Sequence, residues 1–117
     1  MYNDLNKVII LGSLVMKPKV LYTDAGYPIC IMLVNVKSHS KNDEKYKSNL
    51  VKTTILGKYG EFCGGQLDRD SKVLIEGRLS THIKRLENKD YHLLEVLASH
   101  VYFLDKKEEE KDGSWAD

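Results

Sequence analysis

The chain of 117 residues has only two cysteines, two prolines and one tryptophan, and no apolar run approaches the ~20 residues that a membrane helix needs. A membrane-spanning helix is therefore excluded. Cys30 and Cys63 belong to no Cys-x-x-Cys element, so neither a zinc site nor a disulfide framework is signalled. Reduced, partly buried thiols in a cytosol are expected instead. His39, His82, His92 and His100 show no close metal-ligand spacing. The opening Met1-Tyr2-Asn3-Asp4 carries acid before any base, and the apolar stretch after Lys7 lacks a small-residue cleavage pattern, so no signal peptide is expected. Also missing are a Gly-rich phosphate loop, a nucleophile elbow and a His-Glu-x-x-His helix. Asp68 and Asp70 have a turn explanation, and a metal-dependent nuclease built on them would lack the rest of its constellation. Neither an enzyme nor a bound cofactor is expected.

What is present is a globular composition, 42% apolar and 30% charged, of a length that fits one domain. The net charge of +1 conceals a division. Residues 1–105 hold 15 Lys and Arg against 12 Asp and Glu, a net of +3, whereas residues 106–117 hold 3 against 5, a net of −2. A basic body with an acidic end is the arrangement of a polyanion-binding surface that carries a self-screening tail. We accordingly divide the chain into a folded domain, 1–105, and a short acidic tail, 106–117, whose lack of apolar periodicity predicts disorder.

Along the body, Leu5–Val15 is β-branched and apolar on both alternating faces, with Gly12 in its middle, and predicts a first strand bent at that glycine. Lys19–Tyr22 resumes in extended pattern before a turn at Thr23-Asp24-Ala25-Gly26. Pro28–Lys37 is a second long apolar strand. Ser38–Ser48 is a polar loop, and Asn49–Leu56 the third strand. Tyr59, Phe62, Cys63 and Gln66 approximate one face of a short helix, Lys58–Leu67. After a turn at Asp68–Ser71, Lys72–Ser80 is the fourth strand, again with an interior glycine, Gly77; a polar tip follows over His82–Asp90, and Tyr91–Leu104 is the fifth. Three strands, a short helix and two strands make an all-β chain, in the element order of the five-stranded Greek-key OB barrel that grips oligonucleotides or oligosaccharides.

Four strings carry a more specific resemblance: Asn6-Lys7-Val8-Ile9-Ile10-Leu11-Gly12, Leu21-Tyr22-Thr23-Asp24-Ala25-Gly26, Leu56-Gly57-Lys58-Tyr59-Gly60-Glu61-Phe62, and Val73-Leu74-Ile75-Glu76-Gly77-Arg78-Leu79. In this order, over roughly residues 5–104, they resemble the bacterial single-stranded DNA-binding protein family. The resemblance implies an OB barrel, a cytoplasmic or nucleoid location, usually a homotetramer, and work on single-stranded DNA in replication, recombination and repair. It also implies aromatic stacking platforms at positions occupied here by Leu50, by Leu56 and, in the last hairpin, by Lys84 or Arg85. Such platforms contribute roughly 1–3 kcal/mol per base, so their replacement shifts binding toward phosphate contact and salt sensitivity. The family's acidic tail recruits replication and repair partners through a terminal apolar-Pro-Phe signature; this chain ends in Glu108-Glu109-Glu110-Lys111-Asp112-Gly113-Ser114-Trp115-Ala116-Asp117, with acid and one aromatic but without that signature. The dimeric primosomal replication proteins, which share the fold, are the nearest alternative. An OB-type protein- or glycan-binding module is a third.

The candidate DNA-binding residues are Lys41, Lys45, Tyr46, Lys47 and Lys52 in and beside the long loop, Lys84, Arg85 and Lys89 in the last hairpin, and Arg78, set against pairing with Glu76 or Glu95. Tyr46, in a polar segment without apolar neighbours, is the first candidate for stacking, and Tyr22 and Tyr91 border turns where they can do the same. The double-faced apolarity of Val8–Val15 and Ile29–Val36 exceeds what the interior of one barrel covers and predicts self-association; the family resemblance implies a tetramer in preference to a dimer.

Overall fold

The structure, a computed structural model, describes residues 3–39 and 46–104. Its elements are β1 (Val8–Leu14), β2 (Lys19–Tyr22), β3 (Pro28–His39), β4 (Tyr46–Leu56), α1 (Gly57–Gln66), β5 (Lys72–Leu86) and β6 (Lys89–Phe103). The sheet runs β1-β5-β6-β4-β3-β2, and a further pairing of Ser13 and Leu14 with Asn35 and Val34 joins β1 to β3. That contact closes five strands into a barrel. The extended segment Lys19–Tyr22 is a sixth strand, hairpinned on β3 outside the closed ring. All pairings are antiparallel except β4 with β6, where Thr53 and Thr54 lie beside Val96 and Leu97.

Alternation along each strand builds the core. Cys30, Met32 and Val34 of β3, Thr53 and Ile55 of β4, Val73 and Ile75 of β5, and Val96 of β6 are buried. Helix α1 turns Gly60, Cys63 and Gly64 inward, and Cys63 and the following Leu67 join the buried cluster. The backbone N–H of Val101 donates to the Tyr59 hydroxyl at 2.8 Å and ties the helix to β6. Gly12 and Gly77 sit where the sequence places bends. A Cβ at Gly12 would strike the carbonyl of Asn35 where β1 crosses β3, and one at Gly77, beside the β-bulge, would strike that of Leu97.

Three expected boundaries are corrected. β1 begins at Val8, but Asn6 extends its ladder by side chain: its amide donates to Leu79 O at 2.9 Å and accepts from Leu79 N at 2.8 Å. The polar loop is shorter than Ser38–Ser48, because β3 runs to His39 and β4 starts at Tyr46. The tip expected over His82–Asp90 is mostly strand. Pairing continues to Leu86 opposite Lys89, and the turn is Glu87–Asn88 alone, both at positive φ (48° and 66°) as a type I′ turn demands. The Asp68–Ser71 turn is held by Asp68 Oδ1 accepting from Arg69 N at 2.8 Å and by Ser71 Oγ accepting from Asp68 N at 3.0 Å. Residues 106–117, with Trp115, lie outside the described residues.

Candidate nucleic-acid interface

Because Thr53 and Ile55 point into the core, their neighbours on β4 point out, and Tyr46, Leu50, Lys52, Thr54 and Leu56 line the barrel's outer face. The register with β3 sets them against His39, Asn35, Leu33, Ile31 and Ile29 in turn. The result is a two-strand surface with an aliphatic middle. At its far end Tyr46, 67% exposed, meets His39 edge to face with ring centroids 5.1 Å apart. Leu50, 59% exposed, stands between that pair and Lys52.

The same face continues onto β6 and the long β5–β6 arm. Glu95 joins them: it accepts a hydrogen bond from Thr54 Oγ1 at 2.7 Å, lies 3.8 Å from Lys52 Nζ and 3.7 Å from His82 Nδ1. The carboxylate thus orders Lys52 at the centre of the face and offsets part of its charge there. Beyond it on the arm, Lys84 is paired opposite Tyr91 and Leu86 opposite Lys89. Each pair puts a cation beside an apolar or aromatic side chain. Arg78 is set opposite Leu97, in the row that continues from Thr54, and makes no ion pair with Glu76 or Glu95 among the described residues.

The structure therefore gathers Tyr46, Lys52, Arg78, Lys84, Lys89 and Tyr91 on one continuous face. Three other candidates stand apart. Arg85 alternates to the opposite face of the arm, where it is 3.2 Å from Asp90. Lys47 has the opposite parity to Tyr46 on β4. Tyr22 leaves the end of β2 on the helix side and donates its hydroxyl to the Glu61 carboxylate; that hydrogen bond, aided by burial, raises its pKa. Lys41 and Lys45 lie outside the described residues. Sequence reasoning overlooked Lys19, Lys37, His39 and the outward Ile31 and Leu33. Their signal was parity: once Cys30, Met32 and Val34 are core, the intervening residues must face out.

Chemically, the face offers cations and plates. Among the described residues no group of three or more His, Cys, Asp or Glu is placed to hold a metal ion, and no helix is long and apolar enough to cross a membrane. The Cys30 thiol is pushed up to about 11, chiefly by burial, which disfavours the thiolate a nucleophile requires.

Comparison with known proteins matches residues 5–104 to the model of the single-strand binding protein family. Single-stranded DNA-binding protein B of Bacillus subtilis is 30% identical over 108 residues, which cover 91% of this chain and 96% of that protein. Single-stranded DNA-binding protein 3 of Listeria innocua is 25% identical over 112 residues, covering 94% and 70%. Among solved structures, a deletion mutant of the single-stranded DNA binding protein from Thermus aquaticus superposes with a TM-score of 0.74 at 20% identity, over 89% of this chain and 52% of that one.

Proposed function

Because the chain belongs to the single-strand binding protein family, we propose that it binds single-stranded DNA with little sequence preference, and that the outer face of β3, β4 and the β5–β6 arm carries the strand. The observation that supports this reading is the gathering of Tyr46, Lys52, Arg78, Lys84, Lys89 and Tyr91 on one side of a closed barrel. Lysine and arginine cations neutralise phosphates and release the counterions condensed on the strand, which supplies affinity without reading sequence. Tyr46 and Tyr91 offer π-faces that any base can stack on. A duplex hides its bases and is too wide and stiff to follow both the sheet and the projecting arm. The protein holds the strand and breaks no bond in it, protecting or organising it in the cytoplasm during replication, recombination and repair.

Self-association belongs to the same reading. Residues Val8–Gly12 of β1 pair with β5 on one side and have no strand on the other among the described residues. Ile9 and Leu11 stand outward there, 57% and 48% exposed. A second copy pairing along this edge covers the unpaired backbone, and the outward apolar face is left for a further contact between copies.

The test is a titration of labelled oligo-dT against a duplex of equal length over a range of salt. Preference for the single strand, with affinity falling by about 0.7 log units per log unit of salt for each phosphate neutralised, is expected. Equal or tighter binding of duplex at matched salt overturns the reading.

A further inference from the structure

Beside the β3–β4 face, where β2 folds back on β3, lies an open groove of about 350 Å3. Its floor is aliphatic, made by Met16, Leu21, Ile31 and Leu33, and Lys17, Lys19 and Lys52 stand around it. The registers fix this order. Lys19 is paired with Ile31, Leu21 with Ile29, and Leu33 with Lys52, so the aliphatic strip is bounded by a lysine on β2 and a lysine on β4. Two inter-strand spacings, about 10 Å, separate those strands.

We propose that this groove is a nucleotide subsite: one base of a bound single strand lies on the Leu21, Ile31 and Leu33 floor while Lys19 and Lys52 take the phosphates on either side of it. The proposal rests on the single-strand reading above and extends the strand's path onto β2. Three observations carry it. The volume falls within the roughly 300–1,000 Å3 of clefts that hold small organic groups. Its lining contains three cations and no carboxylate, so an anionic occupant is favoured over an acidic-residue-seeking or neutral one. Lys52 belongs to both the groove and the β4 face, so a strand crossing that face reaches the groove without leaving the protein surface. Lys17 reaches Leu67 O at 3.4 Å and Lys52 is held 3.8 Å from Glu95, so Lys19 is the most available of the three. The floor has no side chain able to hydrogen-bond a base edge, and the subsite therefore accepts any base.

The experiment compares the parent protein with Lys19→Ala, a substitution at an exposed position, and with Leu21→Ser. Binding to oligo-dT is measured at several salt concentrations, and 5-iodouracil-substituted oligo-dT is photocrosslinked to the parent and the attachment sites mapped. Lys19→Ala should lower the magnitude of the log–log salt slope by about 0.7, one phosphate's worth. Leu21→Ser should weaken binding at an unchanged slope, and crosslinks should fall on the peptide that carries Met16 to Leu21. If the parent binds the strand but the Lys19→Ala slope is unaltered and crosslinks are confined to β4 and the arm, the subsite is overturned and the groove is left to a protein partner. If the parent does not prefer single strands at all, the underlying reading fails and takes the subsite with it.

Discussion

Tyr46 touches His39 at one edge and otherwise faces solvent, so its ring costs little to recruit and contributes little to the fold. Tyr46→Ala should therefore weaken oligo-dT binding by roughly 1–3 kcal/mol while leaving the salt slope and the unfolding midpoint unchanged; parent-like affinity would transfer the stacking role to Tyr91. Lys52→Ala should have the complementary signature, a smaller slope, and Lys47→Ala should change the slope less because its parity turns it away from the face. Inside the barrel, Thr53 Oγ1 is buried without a hydrogen-bond partner among the described residues. An unpaired buried hydroxyl costs about 1–3 kcal/mol, so Thr53→Val, close in shape, should raise the stability measured by denaturant by an amount in that range. A core thiol, that of Cys30 opposite Ile55, sets a pH dependence. Cys30 holds its proton to about pH 11 in the fold but releases it near 8.5 when unfolded. The native state therefore binds the extra proton between those values, and stability should fall as pH rises through that window. Urea unfolding at pH 8 and pH 10 checks it, with a shallower decline expected in Cys30→Ala. At this scale the sequence disclosed the charged and aromatic candidates, since residues such as Tyr46 and Lys52 announce themselves by type. It concealed Ile31 and Leu33, because an aliphatic side chain looks the same whether it faces a core or a ligand.

Among the elements, the two interior glycines were legible for a physical reason: a strand otherwise β-branched admits glycine where a second backbone comes too close for Cβ. Gly77 marks the point where β5 bulges against β6, and its neighbour across the ladder is the Leu97 carbonyl. Gly77→Ala must displace backbone, not a flexible side chain, and should destabilise the protein by about 1–3 kcal/mol, the usual cost of overpacking. A loss of that size in the denaturant midpoint, with no change in oligo-dT affinity per folded molecule, is the expected result. The arm was less legible. His82–Asp90 is polar enough to resemble a loop, yet both faces of an arm that projects beyond the barrel are wet, and a wet strand has no hydrophobic alternation to betray it. Nor does Glu87–Asn88 carry the Asn-Gly signal of a tight hairpin, although it adopts that turn's dihedrals. Helix α1 was found one residue out of place because its inward face is built from small residues, Gly60 and Gly64, that lower helix propensity while permitting close packing on β3.

For the whole molecule, closure of the barrel leaves β1 in an unusual position. It is paired at Ser13 and Leu14 with β3 and from Val8 to Ser13 with β5, so one of its edges is open over most of its length. An open apolar edge invites another strand. A two-fold axis through such an edge places β1 antiparallel to its own copy, which satisfies the backbone groups of both chains with identical contacts. Ile9 and Leu11 lie on the outer face of that strand beside Leu74 and Glu76 of β5, and Tyr102 of β6 extends the surface, its hydroxyl 3.5 Å from the Glu76 carboxylate. One pairing along the edge leaves this outer face still uncovered, and stacking two dimers through it covers the remainder; hence four copies are expected and not two. Light scattering coupled to gel filtration should give about 54 kDa, four chains of 13.4 kDa. A mass of about 27 kDa would mean that the edge pairs while the face stays open, as in the primosomal alternative. Ile9→Asp with Leu11→Asp places charges on the stacked face without touching the core, and should lower the mass while leaving the melting of β-structure cooperative. A parent chain that runs as a stable 13.4 kDa monomer at micromolar concentration would show that neither the open edge nor the apolar face drives association.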